Sequence, residues 1–498
     1  MKVSFLNLIL NYVHTLFLVI NGLVLVPMYL NYFTLSTYGS YLAAANISGV
    51  LGLAEIGLSL VLTRKLSRFD KVANCEDFSS GFGAGLLVSA TTLIVICLTS
   101  FFFMQSVPKI VKATSEIEVS IKWAFFLTSV GIGLNAQSNA LNSVLQSMMK
   151  VGVPGVINLI AACVGIGTTI ISLKCGAGVL SIAIGFFAKG VLSAGSIAIV
   201  VGFFCSSGEC PHPTFSWVSY KRILGECWPV MVESISKAIV DNCQILIAAS
   251  LIDPMSAAIY AITNKSYHVC SITLAPIGSS LYSTLARWSS SKCKDLLKDR
   301  LFKIFHLFSI FSGLIISVSF LLNENFILLW VGNNKYGGTW MSLLMCLAAF
   351  FSSRCAYLKF NLLAIGVFGR TLVLDQVLAV IRLLIILLLI NKIGIYVLPL
   401  AELVTSIILS VGVLSKSLEN YFGCNVKAIS EIRRCGISSF ALMVLIAFVL
   451  PQIVPMSESW SGFSVKLFIS IIAFAFIIFL SGQNRYCLTF FKSIDSNI

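Results

Sequence analysis

Apolar runs of about twenty residues recur from one end of this 498-residue chain to the other, and they decide what it can become. Hydrocarbon offers no water to open backbone groups, so a chain built of such runs folds as membrane-spanning helices. A β-barrel needs short alternating strands, and an unbroken stretch such as 383–390 does not alternate. Composition agrees, since 11% of residues are charged against roughly 25% in a soluble domain. The 58% that are hydrophobic exceed what an aqueous surface can cover.

The pattern predicts an all-α polytopic membrane protein with fourteen spans, at 5–30, 38–62, 79–104, 122–147, 154–173, 178–204, 228–250, 256–283, 304–322, 340–364, 371–390, 395–415, 436–454 and 465–481. Loop charge orients them. One side carries 21 Lys and Arg, among them Arg64, Lys65, Arg68 and Lys71 after the second span. The other side carries seven: Lys109, Lys112, Lys122, Lys174, Lys335, Lys392 and Lys466. The positive-inside rule then puts both termini in the cytoplasm. The net charge of +14 is therefore read as a topology signal and not as a nucleic-acid footprint.

The 15 cysteines show no CxxC pair and no metal-ligand spacing. Most sit in apolar runs, as Cys97, Cys163 and Cys346 do, where cysteine acts as a small hydrophobe. Only Cys175 falls on the oxidising side, so no structural disulfide, metal or cofactor is expected. The apolar start of the chain is too long for a signal-peptide core and is read as an uncleaved first span.

An internal repeat organises the spans. LAEIGLSL at 53–60 and LAPIGSSL at 274–281 match at six of eight positions, 221 residues apart, and both run into basic residues. An offset of six spans makes the halves parallel repeats, an arrangement in which substrate binds between two rocking bundles. The expected organisation is a six-helix lobe at 1–205, a connector at 206–227, a second six-helix lobe at 228–416, and accessory helices at 417–498.

VPMYLNYFTLSTYGSY and LAEIGLSLVLTRKLSR, then AAIYAITNKSY, LAPIGSSLYSTLARW and LLWVG at 328–332, resemble the polysaccharide or O-antigen flippases of the multidrug/oligosaccharidyl-lipid/polysaccharide exporter superfamily. The resemblance covers most of residues 20–335. It implies a two-lobed bundle that moves an undecaprenyl-pyrophosphate-linked oligosaccharide from the cytoplasmic to the periplasmic leaflet of a bacterial inner membrane. It also implies membrane lipids as partners, together with a polysaccharide polymerase and chain-length machinery.

A charge at mid-bilayer costs about 2.5–3.5 kcal/mol on insertion scales, so each intraspan charge needs a partner or a wet cavity. Six bases are so placed: Lys189, Lys237, Lys265, Arg354, Lys359 and Arg382. Glu55, Glu233, Asp241, Asp375 and Glu402 lie at comparable depth. Lys265, Arg354 and Arg382 are the candidates for gripping an anionic pyrophosphate, Arg offering two prongs. The alternative is mutual pairing with Glu55, Asp375 and Glu402. Lys359 lies close enough to the cytoplasmic end to snorkel.

Asn135, Asn139, Asn142 and Gln146 fall on one helical face, and their carboxamides suit sugar hydroxyls or, alternatively, interhelical bonding. Glu233, Lys237, Asp241 and Gln244 form a second stripe, facing a cavity or neutralising itself as an ion ladder. Glu55, Asp241, Asp375 and Glu402 are candidates for a coupling H⁺ or Na⁺, or for pairing with a neighbouring base. A cation-coupled multidrug exporter of the same fold is the alternative function. A membrane polymerase is disfavoured, because no nucleophile–base motif or large external loop is present.

Overall fold

The computed structural model describes residues 22–52, 56–66, 75–148, 150, 152–275, 277, 294–332, 334–365, 369–422, 437–453 and 459–480. Over these residues each predicted span coincides with a helix. The first half holds α1 (Gly22–Tyr32), α2 (Leu35–Gly52), α3 (Ile56–Leu66), α4 (Cys75–Phe103), the single turn α5 (Val107–Ile110), α6 (Glu118–Ser147), α7 (Gly152–Lys174), α8 (Leu180–Ser206) and α9 (Trp217–Ile247). There follow α10 (Pro254–Thr263), α11 at 265–275, α12 (Lys294–Val331), α13 (Thr339–Ala364), α14 (Gly369–Ile393), α15 (Val397–Ile407), α16 (Ser415–Phe422), α17 (Ile437–Ile453) and α18 (Trp460–Leu480). Seven of the described helices are long and apolar enough to cross a membrane.

Two helices outrun their predicted spans. α12 has 38 residues and takes in much of both loops expected around it. α9 has 31 residues and begins at Trp217, eleven residues before the apolar run. Its start is set by Ser216, whose backbone is extended and whose hydroxyl accepts from Ser219 N at 3.3 Å. That cap satisfies one of the amides a helix start leaves open.

Contacts divide the chain into two compact units, residues 1–258 and 259–498. In the first, α6 packs on α8 through small residues. A Cβ on Gly190 would lie 2.5 Å from the Gly131 carbonyl oxygen, so only glycine permits the approach. Hydroxyls then tie the helices where hydrocarbon supplies no other partner. Ser138 and Ser193 meet at 2.5 Å, and Ser193 donates to Asn158 of α7 at 2.9 Å. The connector runs along α4, with Thr214 N donating to Ser79 O at 3.0 Å. α9 packs on α2, α3 and α4, and Ile223 and Cys227 join Leu58, Leu62, Phe78 and Phe82 in one buried cluster. The repeat places the lobe boundary before α9, whereas the contacts place the unit boundary after it.

In the second unit α13 packs on α12 and α15, and α14 packs on α15. The accessory helices α17 and α18 lie against α12. The rings of Phe350 and Phe440 stack with centroids 3.8 Å apart. Half of the two repeated octapeptides, at 53–55, 276 and 278–281, lies outside the described residues.

Candidate functional site

Lys265 follows one perturbed helical residue, since Asn264 N still donates to Tyr260 O and His268 N to Asn264 O, each at 2.9 Å. α10 stops at Thr263, a turn falls at Asn264, and α11 begins at Lys265. The ten residues of α10 cover about 15 Å before this point. Asn323 of α12, 1% exposed, clamps both sides of it. Its amide donates to Thr263 O and to Ser342 Oγ, each at 3.1 Å, and its carbonyl accepts from Ser266 Oγ at 2.7 Å. Tyr267 reaches the same Ser342 at 2.7 Å. This bonding fixes the backbone beside Lys265, whose side chain is half-buried.

A second group of charges braces α13, α14 and α15. Lys359 of α13 is ion-paired with Asp375 of α14. Arg382 of α14 donates to Glu402 Oε2 of α15 at 2.7 Å. This brings together a residue expected to grip an anion and one expected to carry a coupling ion. Arg354 is 0% exposed. Its Nη1 donates to Ser309 Oγ of α12 at 2.9 Å. Its guanidinium carbon lies 4.7 Å from the Phe305 ring centre and 5.6 Å from that of Phe350. An aromatic cage of this kind favours a desolvated cation.

On α6 the predicted carboxamide stripe divides. Asn139 and Gln146 are exposed, Asn135 is half-buried, and Asn142 is 5% exposed. Asn135 spends one amide hydrogen on Gly131 O, at 2.9 Å. The Asn142 carbonyl oxygen is buried and accepts no hydrogen bond. Glu55 lies outside the described residues. Glu233, Lys237 and Asp241 lie on α9, and of that stripe Gln244 is buried, at 5% exposure.

Sequence reasoning did not find Ser309, Asn323 or the Lys359–Asp375 pair. Residues equidistant from a short connection face one another across packed antiparallel helices. That signals Arg382–Glu402 on α14 and α15 but not Lys359–Asp375, because α13 packs on α12 and α15. Arg382 and Glu402 are centred on 392, beside the α14 end at Ile393. Ser309 and Asn323 carried no such signal, being polar residues in apolar stretches.

This order of helices is a fold shared with solved flippase and MATE structures. The chain is similar to the Lipid II flippase MurJ in its inward closed conformation, with a TM-score of 0.75 at 16% identity over 96% of this chain and 100% of that one. It is also similar to the eukaryotic MATE transporter AtDTX14, at TM-score 0.60 and 15% identity over 87% and 97% of the two chains. The Vibrio cholerae MATE transporter VcmN in its bent form gives 0.54 and 15% over 89% and 99%. No curated protein sequence matches the chain. The sequence pattern of the polysaccharide biosynthesis protein family matches residues 33–336, and the chain belongs to that family. The fold it shares is that of solved flippases and MATE transporters.

Proposed function

We propose that the chain flips an undecaprenyl-pyrophosphate-linked oligosaccharide, the repeat unit of an O-antigen or a similar surface polysaccharide, from the cytoplasmic to the periplasmic leaflet of a bacterial inner membrane. Family membership carries this reading, because polysaccharide biosynthesis requires a lipid-linked intermediate to cross a bilayer and the fold is a transporter's. Both termini are cytoplasmic on the bias of basic residues.

Lys265 is the headgroup contact in this reading, a half-buried cation whose neighbours Thr263 and Ser266 are fixed by the Asn323 clamp. Arg382 and Arg354 are held by Glu402 and by Ser309 with its rings in this conformation. They meet an anion only when those contacts loosen. Asn139 and Gln146, the exposed members of the α6 stripe, meet sugar hydroxyls. Coupling to H⁺ or Na⁺ falls to Glu55 or Asp241, or to Asp375 and Glu402 after their ion pairs open. A polymerase and chain-length machinery take the product on the far side.

Purified protein in vesicles, given a fluorescent lipid-linked oligosaccharide on one leaflet, tests the reading directly. Appearance of label on the other leaflet, lost in Lys265→Ala, is expected. Efflux of a cationic dye without lipid flipping would replace the flippase by a multidrug exporter.

A further inference from the structure

A cavity of about 150 Å³ opens among α11, α12 and α13 of the second unit. Its walls are mostly carbon: Leu274 and Ala275 from α11, Phe308 from α12, and Ala356 and Tyr357 from α13. The Phe308 and Tyr357 rings are stacked, with centroids 4.3 Å apart, and form one flat side. Ser353 adds a hydroxyl, and two further serines line the wall. The Ser353 side chain is 7% exposed and its Oγ has no hydrogen-bond partner. Ala275, at the rim, is exposed, so the cavity has a mouth.

Three occupants suit a space of this size. An apolar-walled cavity of about 150 Å³ stays dry and takes a benzene-sized group. A water cluster needs two to four polar partners per molecule, and the walls offer few: three serine hydroxyls and the Tyr357 phenol. A sugar ring carries several hydroxyls and would leave most of them facing carbon, at a cost for each. A branched five-carbon unit matches benzene in bulk and fits a flat aromatic side. A buried hydroxyl without a partner adds one further demand, for a polar atom at the edge of that apolar group.

We propose that this cavity binds the phosphate-proximal isoprenyl unit of a polyprenyl phosphate, with the Ser353 hydroxyl donating to the ester oxygen that joins lipid to phosphate. The proposal rests on the flippase reading and adds to it a recognition element for the lipid, separate from the cations proposed for the headgroup. The site distinguishes a branched prenyl chain from a straight acyl chain by shape, and selects the carrier whichever glycan it bears.

The test uses the full-length protein in detergent micelles, with undecaprenyl phosphate as ligand and farnesyl phosphate and palmitoyl phosphate as competitors. Farnesyl phosphate is expected to compete and palmitoyl phosphate to compete poorly. Ala356→Phe fills the cavity and should weaken undecaprenyl phosphate binding on the order of 30-fold or more, from the loss of several buried carbons. Ala275→Phe acts at the exposed rim, where folding tolerates a larger side chain, and should give a similar loss. Ser353→Ala should cost several-fold. Wild-type affinity in Ala275→Phe overturns the proposal, as does equal competition by the two short lipids. If wild-type protein flips the lipid-linked oligosaccharide while the filled variants bind normally, the cavity assignment alone fails. If wild-type protein binds undecaprenyl phosphate through this cavity but flips nothing, the flippase reading fails instead.

Discussion

Glu402→Gln offers the sharpest perturbation of the charged brace. Arg382 Nη2 and Glu402 Oε2 are 2.7 Å apart, with 11% and 25% of their side chains exposed. With charge centres near 4 Å and an effective dielectric of about 20, the attraction is about 4 kcal/mol before desolvation is counted. Breaking a fully buried pair from one side costs about 3–5 kcal/mol, because a desolvated charge loses its counter-charge. The quarter of Glu402 that stays exposed lowers this, so Glu402→Gln should destabilise the protein by about 2–3 kcal/mol. Replacing both residues, as Arg382→Met with Glu402→Gln, should recover most of that loss, because the orphaned charge goes with the acid. Reversible unfolding in mixed micelles, run on the two single variants and the double, gives the coupling energy directly. A coupling below about 0.5 kcal/mol would show that the pair is solvated and does not brace α14 on α15.

Other parts of the molecule make separate predictions. Gly190→Leu should force α6 and α8 apart, since even a Cβ there meets the Gly131 carbonyl at 2.5 Å; thermal unfolding followed by size exclusion should show a loss of more than about 2 kcal/mol. Asn323→Leu should strip the clamp from the helix beside Lys265, and on the proposed function the flipping rate should fall further than the thermal stability. Glu209→Gln breaks an exposed ion pair with Lys150 but leaves the Lys150 ammonium over the Phe204 ring, so unfolding should shift by less than about 1 kcal/mol. Cys175, exposed after α7, should react with an impermeant maleimide from the periplasmic side of intact cells; labelling only after permeabilisation would invert the assigned topology.

Much of the fold was legible because membrane helices announce themselves one at a time. A run such as 383–390 must be helical wherever it packs, since its own backbone supplies the partners that lipid lacks. Helix ends were less legible. α9 begins at Trp217 because Ser216 caps it, a local signal that lies outside the apolar run used to place the span. The charge pairs were partly legible, since α14 packs on α15 and their hairpin register places Arg382 opposite Glu402. The Arg354 cage was not, because Phe305 and Ser309 come from a helix whose rotation towards α13 is set by packing across the whole unit.

The sequence by itself determined that this chain crosses a membrane many times, which residues are charged at depth, and the family to which residues 33–336 point. Those properties follow from the local contest between side chain and hydrocarbon, which each segment settles alone. Only the tertiary structure decided which charges are matched, that Arg354 is sealed by aromatic rings, that Lys265 stands beside a backbone clamped by Asn323, and that a cavity opens beside Ser353. These depend on the rotation and depth of several helices at once, and a single helix's apolar pattern, nearly uniform all round, carries no record of which face its neighbours will take.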